Sequence, residues 1–321
     1  MTLDPRITEH RNPRTARIDL ATPDEIVALM NAEDRTVADA VASQSDEIAS
    51  AITIIEGVFR GGGRLFYVGA GTSGRLGILD ASECPPTFGT DPDLVQGIIA
   101  GGPQAVFRSQ EGAEDLPENG AKAVDERGVS DQDCLVGIAA SGTTPFVRGA
   151  LARAEQIGAR TMVVACTPIS PDVTRLVDVA IVAVTGPEVV TGSTRLKAGT
   201  ATKMILNMLT TGAMIRIGKT WGNLMVDLRA TNLKLKDRSE RILMESCRIT
   251  RDDARKLLEA ADGSVKVAIV MHRAKLGRDE AVKRIAAAGG LIRRVVGIRD
   301  PCRPDVRHLA GRYFRSSGSL Q

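Results

Sequence analysis

The first 60 residues carry apolar side chains at helical spacing. Between Pro23 and Arg60 these side chains recur every three or four positions, which predicts two amphipathic helical segments. Thr22 precedes Pro23, and a threonine N-cap followed by proline at the first helical position favours a helix start there. The glycine run 61–63 then ends the helical pattern.

Beyond residue 63 the pattern changes to short apolar runs that alternate with helical stretches. Each run is followed by a glycine-rich turn or by a helix, which is typical of a parallel sheet covered on both faces. We therefore predict an α/β fold that binds its ligand at the carboxyl ends of the strands. The predicted strands are Leu65–Val68, Leu94–Ala100, Cys134–Ala140, Thr161–Cys166 and Val179–Val184.

The C-terminal third is predicted to be mainly helical. The run Val265–Met271 is the exception, because its composition fits a strand as well as a helix. The helical patterns cover Arg195–Arg216, Arg238–Arg248, Asp252–Ala261 and, as a pair of helices, Ser264–Ala288. The chain then divides into an N-terminal helical segment 1–60, a sheet domain 61–235, a small helical domain 236–298 and a tail 299–321.

Composition excludes several classes of function. Hydrophobic residues make up 43% and charged residues 25% of the 321 positions, as in an ordinary globular protein. Aromatic residues are only 3%, which argues against stacking platforms for single-stranded nucleic acid. The five cysteines include no Cys-x-x-Cys pair and the three histidines are scattered, so we expect neither a metal site nor a disulfide framework.

The expected compartment is a reducing cytoplasm, because disulfides are not indicated. The first residues lack the apolar core of a signal peptide, and no uninterrupted apolar run reaches the roughly 18 residues of a membrane span. Net charge is +3, but it divides into −7 for residues 1–233 and +10 for residues 234–321. The basic residues alternate with Asp and Glu along amphipathic segments, so solvated helix faces are favoured over a nucleic-acid partner.

A glycine-rich turn follows the first predicted strand. The sequence 69–74, Gly-Ala-Gly-Thr-Ser-Gly, opens a helical stretch, so its backbone can approach an anion at a helix N-terminus. The same Gly-x-Gly-x-x-Gly pattern occurs in dinucleotide-binding enzymes, which also need an acidic residue at the end of the next strand. Here that strand ends in Gly101-Gly102. A phosphate group is therefore favoured over a nicotinamide or flavin cofactor.

A second turn, rich in hydroxyl groups, follows the third predicted strand. The sequence 141–145, Ser-Gly-Thr-Thr-Pro, again opens a helix. Either turn alone is compatible with an ordinary helix cap. Their occurrence at the tips of two buried strands favours one phosphomonoester site made by both. The candidate phosphate-binding residues are Gly71, Thr72, Ser73, Ser141, Gly142, Thr143 and Thr144.

At these residues the chain resembles a known family. The turns 69–74 and 141–145 resemble the paired loops of sugar isomerase (SIS) domains, which bind phosphosugars. The segment 186–203 resembles the signature shared by bacterial N-acetylmuramic acid 6-phosphate etherases and the glucokinase regulatory protein, and 79–87 and 111–115 resemble the etherase branch. The resemblance implies a SIS-type doubly wound parallel sheet flanked by helices, with a small C-terminal helical (UBA-like) domain.

Two glutamates are candidate catalytic groups. Glu83 precedes Pro85 and Pro86, which are expected to end the helix and to hold the Glu83 side chain on a stiff support. A surface glutamate at a helix end is the alternative. Glu114 lies in an acidic segment that, by composition alone, is mainly a solvated helix face. The etherase resemblance selects Glu114 from that segment.

The signature segment supplies further candidates for substrate binding. Ser193 and Thr194 open the helix that contains Lys197, so hydroxyl groups, amides and positive charge lie together. An ion pair on a packed helix is the alternative for Lys197. Glu188 is a candidate for contacts to sugar hydroxyls or for a part in ring opening.

The resemblance implies cleavage of the lactyl ether at C3 of N-acetylmuramic acid 6-phosphate, giving N-acetylglucosamine 6-phosphate and D-lactate. In the open-chain sugar the C1 aldehyde makes the C2 proton removable, the C3 oxygen leaves by β-elimination, and water then adds at C3. Two carboxylates suffice for these proton transfers, so we expect no metal and no organic cofactor. We expect Glu114 to be the base and Glu83 the acid, with the reverse assignment as the alternative.

Other functions are alternatives to the etherase. A non-catalytic phosphosugar-binding regulator and an aldose–ketose isomerase fit the same fold, and a dehydrogenase is more remote. The presence of both glutamates favours the etherase. SIS domains usually pair, so we expect a homodimer in which the neighbouring subunit can complete the site, with Thr8, Glu9 and Asn12 as candidates to reach across.

Overall fold

The computed structural model describes residues 6–228 and 233–297. The chain divides into two compact units, Met1–Pro86 with Thr90–Ala213, and Thr87–Gly89 with Met214–Gln321. None of the helices in the described ranges combines the length and apolar character that a bilayer span requires. The finer division at residues 60, 235 and 298 stays a prediction, and the tail 299–321 lies outside the described residues.

Short turns and two long helices open the first unit. Thr22 caps the first helix as predicted, because its side chain accepts the amide of Glu25 and the Glu25 carboxylate accepts the amide of Thr22 at 2.8 Å. The elements are 3-10 turns at Ile7–Glu9, Pro13–Thr15 and Ile18–Leu20, helix α1 at Pro23–Ala42 and helix α2 at Ser45–Arg60.

The sheet of the first unit has five parallel strands, and all five match predicted runs. They are β1 Leu65–Gly69, β2 Val95–Ile99, β3 Cys134–Ile138, β4 Arg160–Ala165 and β5 Val179–Val182. Their order is β2-β1-β3-β4-β5, and Gly69 at the end of β1 pairs with Ile138 at the end of β3. The strand order reverses between β1 and β3, and in such sheets this switch point is where ligands bind.

Helices cover both faces of this sheet, so the predicted doubly wound α/β architecture is confirmed. On one face Phe66 and Val68 share a core with residues of α5 and α6. On the other face the Tyr67 hydroxyl donates to Asp80 of α3 at 2.9 Å and lies 3.5 Å from the Leu206 carbonyl of α8. These helices are α3 Gly71–Phe88, α4 Gln104–Phe107, α5 Pro117–Glu126, α6 Pro145–Ile157, α7 Pro171–Thr174 and α8 Lys197–Arg216.

Helix α3 continues past its expected end. The prediction that it stops near Glu83 is wrong, because the helix passes through Pro85 and Pro86 and ends at Phe88. Each proline removes an amide donor, which costs about 3 kcal/mol in a helix interior, so the last turn needs support from packing. Cys84 and Phe88 are buried and supply it. Glu83 therefore lies on the exposed side of a continuing helix instead of at its end.

The second unit is a helical region with one small hairpin. The run that began at Val265 is a helix and not a strand, because Val265, Ala268 and Ile269 are buried at helical spacing and Ser264 caps the first turn. Its elements are β6 Thr220–Trp221, β7 Leu224–Met225, α9 Leu233–Cys247, α10 Arg251–Ala260, α11 Val265–Ala274, α12 Arg278–Ala287 and α13 Ile292–Val296. The predicted helical C-terminal region is confirmed, and its UBA-like character stays a prediction.

Helices α5 and α6 pack with their backbones in close contact. A Cβ atom on Gly120 would lie 1.9 Å from the Phe146 carbonyl oxygen, and one on Gly149 would lie 1.9 Å from the Pro117 carbonyl oxygen. The amide of Phe146 also donates to the carbonyl of Glu114 at 3.0 Å. This packing therefore positions the segment that carries Glu114 against the start of α6.

Replacing Gly149 by alanine is expected to lower the free energy of unfolding by about 2 kcal/mol or more, because α5 must move away from the new methyl group. Urea unfolding followed by circular dichroism measures the change. Gly57→Ala is the matched control, since this exposed glycine of α2 has nothing within 4 Å of its Cβ position. The control should gain about 0.5–1 kcal/mol from helix propensity. Similar effects of both substitutions would contradict the close packing of α5 on α6.

Candidate active site

The first predicted loop begins where β1 ends and becomes the first turn of α3. Gly71 has a φ of +51°, a left-handed conformation that glycine adopts without strain. Thr72 and Ser73 follow it in the first turn and are half-buried. The first amides of a helix have no partner within it, so this turn presents hydrogen-bond donors and the positive end of the helix dipole.

The second predicted loop lies beside the first, because β1 and β3 are neighbours and end in register. Gly142 has a φ of +69°, and a Cβ there would lie 2.7 Å from Cγ2 of Ile169. The Ser141 and Thr143 hydroxyl groups are 3.0 Å apart, and the Thr143 amide donates to Ser141 Oγ at 3.3 Å. Thr144 precedes α6 and makes no side-chain cap. Hydroxyl groups thus surround the start of α6 without being used to close it.

Glu114 lies at the same edge of the sheet. With Gly71 it lines a cavity of about 310 Å³, and its carbonyl binds the start of α6 as described above. We call this space the Glu114 cavity. It is lined by Ala70, Gly71, Arg75, Ala100, Ala105, Ser109, Gln110, Glu111, Gly112, Ala113 and Glu114. The predicted base is therefore next to the first loop and tied to the second.

Ser193 and Thr194 precede α8 close to the first loop. A Cβ on Gly199 would lie 3.4 Å from the Thr194 carbonyl oxygen and 3.7 Å from Cγ2 of Thr72. The Thr72 methyl group therefore packs against the first turn of α8, where Gly199 leaves room for it. The predicted polar groups at 71–73 and 141–144 follow neighbouring strand ends, and the group at 193–194 lies close to Thr72 of the first.

Glu83 lies apart from these groups in a single chain. It follows Gly71 by twelve residues on α3, a separation of about 18 Å along the helix axis. It is exposed, and it does not line the Glu114 cavity. Its neighbours Ser82 and Pro85 line a different groove, which also includes Val95 at the start of β2. One chain thus brings Glu114 to the loops and leaves Glu83 elsewhere.

Curated relatives cover most of the chain. The N-acetylmuramic acid 6-phosphate etherase of Mycolicibacterium smegmatis is 56% identical over 264 residues, 82% of this chain and 88% of that protein. The etherase of Rhodopirellula baltica is 55% identical over 265 residues, 83% of this chain and 87% of its own. The etherase of Prochlorococcus marinus strain MIT 9303 is 53% identical over 267 residues, 83% and 84% of the two chains. This chain belongs to the N-acetylmuramic acid 6-phosphate etherase family.

A second comparison concerns the sheet. Residues 47–155 match the family model of the glucokinase regulatory protein N-terminal SIS domain, a range that includes both loops and Glu114. The SIS-type fold expected from the sequence is therefore confirmed. Among solved structures, phosphoheptose isomerase from Neisseria gonorrhoeae is 18% identical with a TM-score of 0.42, and the match covers 60% of this chain and 98% of that chain. A TM-score this low supports no inference about ligand or activity.

Two residues of the etherase signature segment 186–203, Glu188 and Lys197, make contacts within the protein that differ from the expected substrate contacts. Glu188 is fully buried, and its carboxylate accepts the amides of Lys197 and Ala198, each at 2.9 Å. It closes the N-terminus of α8, and burial raises its pKa. Lys197 is 1% exposed, and its Nζ lies 2.8 Å from Oε2 of Glu33. Both side chains are therefore engaged with buried partners in their own chain, as in the ion-pair alternative for Lys197.

The N-terminal arm binds this signature segment within its own chain. The Gly192 amide donates to the Thr8 carbonyl at 3.1 Å, the Thr15 hydroxyl to the Val189 carbonyl at 2.8 Å, and Asn12 Nδ2 to the Pro187 carbonyl at 3.4 Å. Thr8 and Asn12 are buried by these contacts. Glu9 lies beside Gly192, with its Oε2 3.2 Å from the Cβ position of that glycine. The arm therefore positions the turn before Ser193 and does not extend away from the chain.

Two residues of the site region are missing from the sequence-based candidates. Arg75 lines the Glu114 cavity, and its only signal in the sequence is its place directly after the first glycine-rich turn. Glu33 joins Lys197 to Arg14, whose Nη2 donates to it at 2.9 Å. No local pattern could reveal Glu33, because its two partners lie 19 and 164 positions away.

The Glu33 network predicts a pH dependence of stability. Hydrogen bonds from Arg14 above all, and from Lys197 and Asn12, lower the pKa of Glu33 from 4.5 to about 2 against the opposing effect of burial. A carboxyl group whose pKa is lower in the folded than in the unfolded state contributes its full stabilisation of the fold at pH values above the unfolded-state pKa. This stabilisation is therefore lost as the pH falls from about 4.5 towards 2.

Glu33→Gln is expected to lower the free energy of unfolding at pH 7 by about 3 kcal/mol, because the buried Lys197 charge loses its partner. The variant should also lose stability less steeply than the wild type between pH 4.5 and 2. Thermal unfolding at several pH values measures both effects. Glu126→Gln is the control, since its ion pair with Lys122 is exposed and contributes less than about 1 kcal/mol. Parallel pH profiles of wild type and Glu33→Gln would contradict the assignment.

Proposed function

We propose that this chain is an N-acetylmuramic acid 6-phosphate etherase, which converts its substrate and water to N-acetylglucosamine 6-phosphate and D-lactate. One observation carries the proposal: Glu114 lines a cavity that begins at the glycine-rich turn of a SIS-type sheet, in a chain of the etherase family. The proximity of Glu114 to the first loop supports an anion site and an acid–base group that act on one small ligand.

The phosphate group binds at the two loops. The amides of the first turn of α3 and the hydroxyl groups of Thr72, Ser73, Ser141, Thr143 and Thr144 surround it, and the dipole ends of α3 and α6 add to the attraction. Ser193 and Thr194 extend this polar surface, because the Thr194 carbonyl oxygen and the Thr72 methyl group both lie close to Gly199. A dianion is thereby held by oriented donors that need no rearrangement.

Glu114 removes the C2 proton of the open-chain sugar. The electron pair left at C2 forms the double bond to C3 as the bond from C3 to the lactyl oxygen breaks, and a carboxylic acid protonates that oxygen. Water then adds its hydroxyl at C3 and a proton at C2, which restores the sugar. Positioned acid and base groups contribute factors of about 10² to 10⁴ each to such steps.

The acid is Glu83 of a neighbouring subunit. About 18 Å of helix separates Glu83 from the first loop of its own chain, and Glu83 does not line the Glu114 cavity, so a second copy is the favoured source of the acid. In a two-fold symmetric dimer the exposed Glu83 of each copy approaches the Glu114 cavity of the other, so two equivalent sites form. The dimer expected from the sequence is thus a requirement of the mechanism.

A non-catalytic phosphosugar-binding regulator is the second candidate, favoured by the match to the glucokinase regulatory protein SIS domain. Incubation of the purified chain with N-acetylmuramic acid 6-phosphate and an assay for D-lactate distinguishes the two. Turnover supports the etherase. Binding without release of lactate would support the regulator. An isomerase would instead give a product that retains the lactyl group.

Glu114→Gln is expected to abolish both lactate release and exchange of the C2 hydrogen in heavy water, because the base is lost. Glu83→Gln should stop lactate release while exchange at C2 persists. Mass spectrometry and an enzymatic lactate assay measure the two rates. The opposite pattern would reverse the roles of the glutamates, and unchanged rates in both variants would overturn the pair.

Mixed dimers test whether the site spans two subunits. Co-expressed Glu83→Gln and Glu114→Gln chains form one intact site in each heterodimer if the glutamates come from different copies. A random mixture should then recover about one quarter of wild-type activity, although each variant alone is inactive. No recovery in heterodimers purified with two different affinity tags would show that both glutamates act within one chain.

A further inference from the structure

The Glu114 cavity has a single basic side chain among the residues that line it. This residue is Arg75, and the cavity also contains the carboxylates of Glu111 and Glu114. The substrate of the proposed reaction brings two anions, the phosphate and the carboxylate of the lactyl group. An anion that leaves water needs a cation or donors in its place. The loops supply donors for the phosphate, so the second anion requires another partner.

Arg75 is held rigidly by two backbone hydrogen bonds. Its Nε donates to the Val106 carbonyl at 2.9 Å and its Nη2 to the Ala105 carbonyl at 2.8 Å. The residue is half-buried on the first turns of α3. A guanidinium carries five N–H donors in a planar fork, so three donors remain beyond these two bonds. A planar carboxylate matches such a fork, and little side-chain entropy is lost on binding.

The position of Arg75 favours the lactyl carboxylate over the phosphate. Its two backbone partners, Ala105 and Val106, belong to the segment that leads from β2 to Glu114, and they hold the guanidinium on that side of the cavity. The phosphate loops lie at the tips of β1 and β3. Glu114 acts at C2, next to the carbon that bears the lactyl ether, so the carboxylate of this substituent lies on the Glu114 side.

We propose that Arg75 binds the lactyl carboxylate and thereby selects sugar phosphates with an anionic substituent on O3. The inference rests on the proposed function and adds the group that determines its specificity. Arg75 transfers no proton in the reaction. The ion pair is present before and during elimination, so its loss should raise KM more than it lowers kcat.

The test compares two substrates with wild type and Arg75→Gln. One is N-acetylmuramic acid 6-phosphate, and the other is its analogue with a lactamide in place of the lactate. Release of the O3 substituent is measured by liquid chromatography and mass spectrometry. Arg75→Gln should lose about 10- to 100-fold in kcat/KM for the natural substrate and less than about threefold for the amide. Wild type should prefer the natural substrate by a similar factor.

Two further variants keep the test decisive. Arg75→Lys retains the charge but not the fork, so it should regain part of the preference for the carboxylate. Arg153→Gln is the charge-matched control, since the Arg153 side chain is 39% exposed and pairs with Asp125 on the surface. Equal losses of Arg75→Gln on both substrates would overturn the inference, because a phosphate contact or a purely structural role affects both alike. A wild type that shows no preference between the two substrates would overturn the inference as well. A wild type that releases neither substituent would instead refute the etherase itself.

Discussion

The candidate site depends on the parallel pairing of β1 with β3. These strands end side by side where the strand order reverses, so the loops that follow them emerge together and the helices α3 and α6 both start there. Each helix start contributes unpaired amides and a positive dipole end. The proposed anion site thus depends first on the topology, and the hydroxyl groups of the two loops add further hydrogen-bond donors.

Buried charge explains the most recognisable stretch of the sequence. Removing Glu33, Glu188 and Lys197 from water is costly unless each finds partners, and each does. The network ties α1 and the N-terminal arm to the start of α8, and so holds Ser193 and Thr194 near Thr72. The signature segment thus uses two of its charged side chains, Glu188 and Lys197, to fix the position of the turn before α8, while Arg195 and Lys203 stay exposed.

The two glutamates differ in how the fold presents them. Glu114 is fixed to the sheet edge by its carbonyl and by the close packing of α5 on α6. Both side chains are exposed, but Glu83 lies far along α3 and outside the Glu114 cavity, so the proposed mechanism draws it from a second copy of the chain. In the proposed mechanism this difference links catalysis to assembly, because a single chain has the proposed base beside the two loops and the proposed acid elsewhere.

The sequence by itself determined the local features of this protein. The five strands, the Thr22 cap and the two turns that follow β1 and β3 are predicted by hydrophobic spacing and short motifs, because these depend on neighbours in the chain. The family is predicted by the resemblance of longer segments such as 186–203. Tertiary structure decided the continuation of α3 through its prolines, the burial of Glu188 and Lys197, the place of Arg75 and the separation of Glu83 from the loops. These depend on packing and on charge partners distant in sequence, and the free energy of burying a charge is set by contacts that no local pattern encodes.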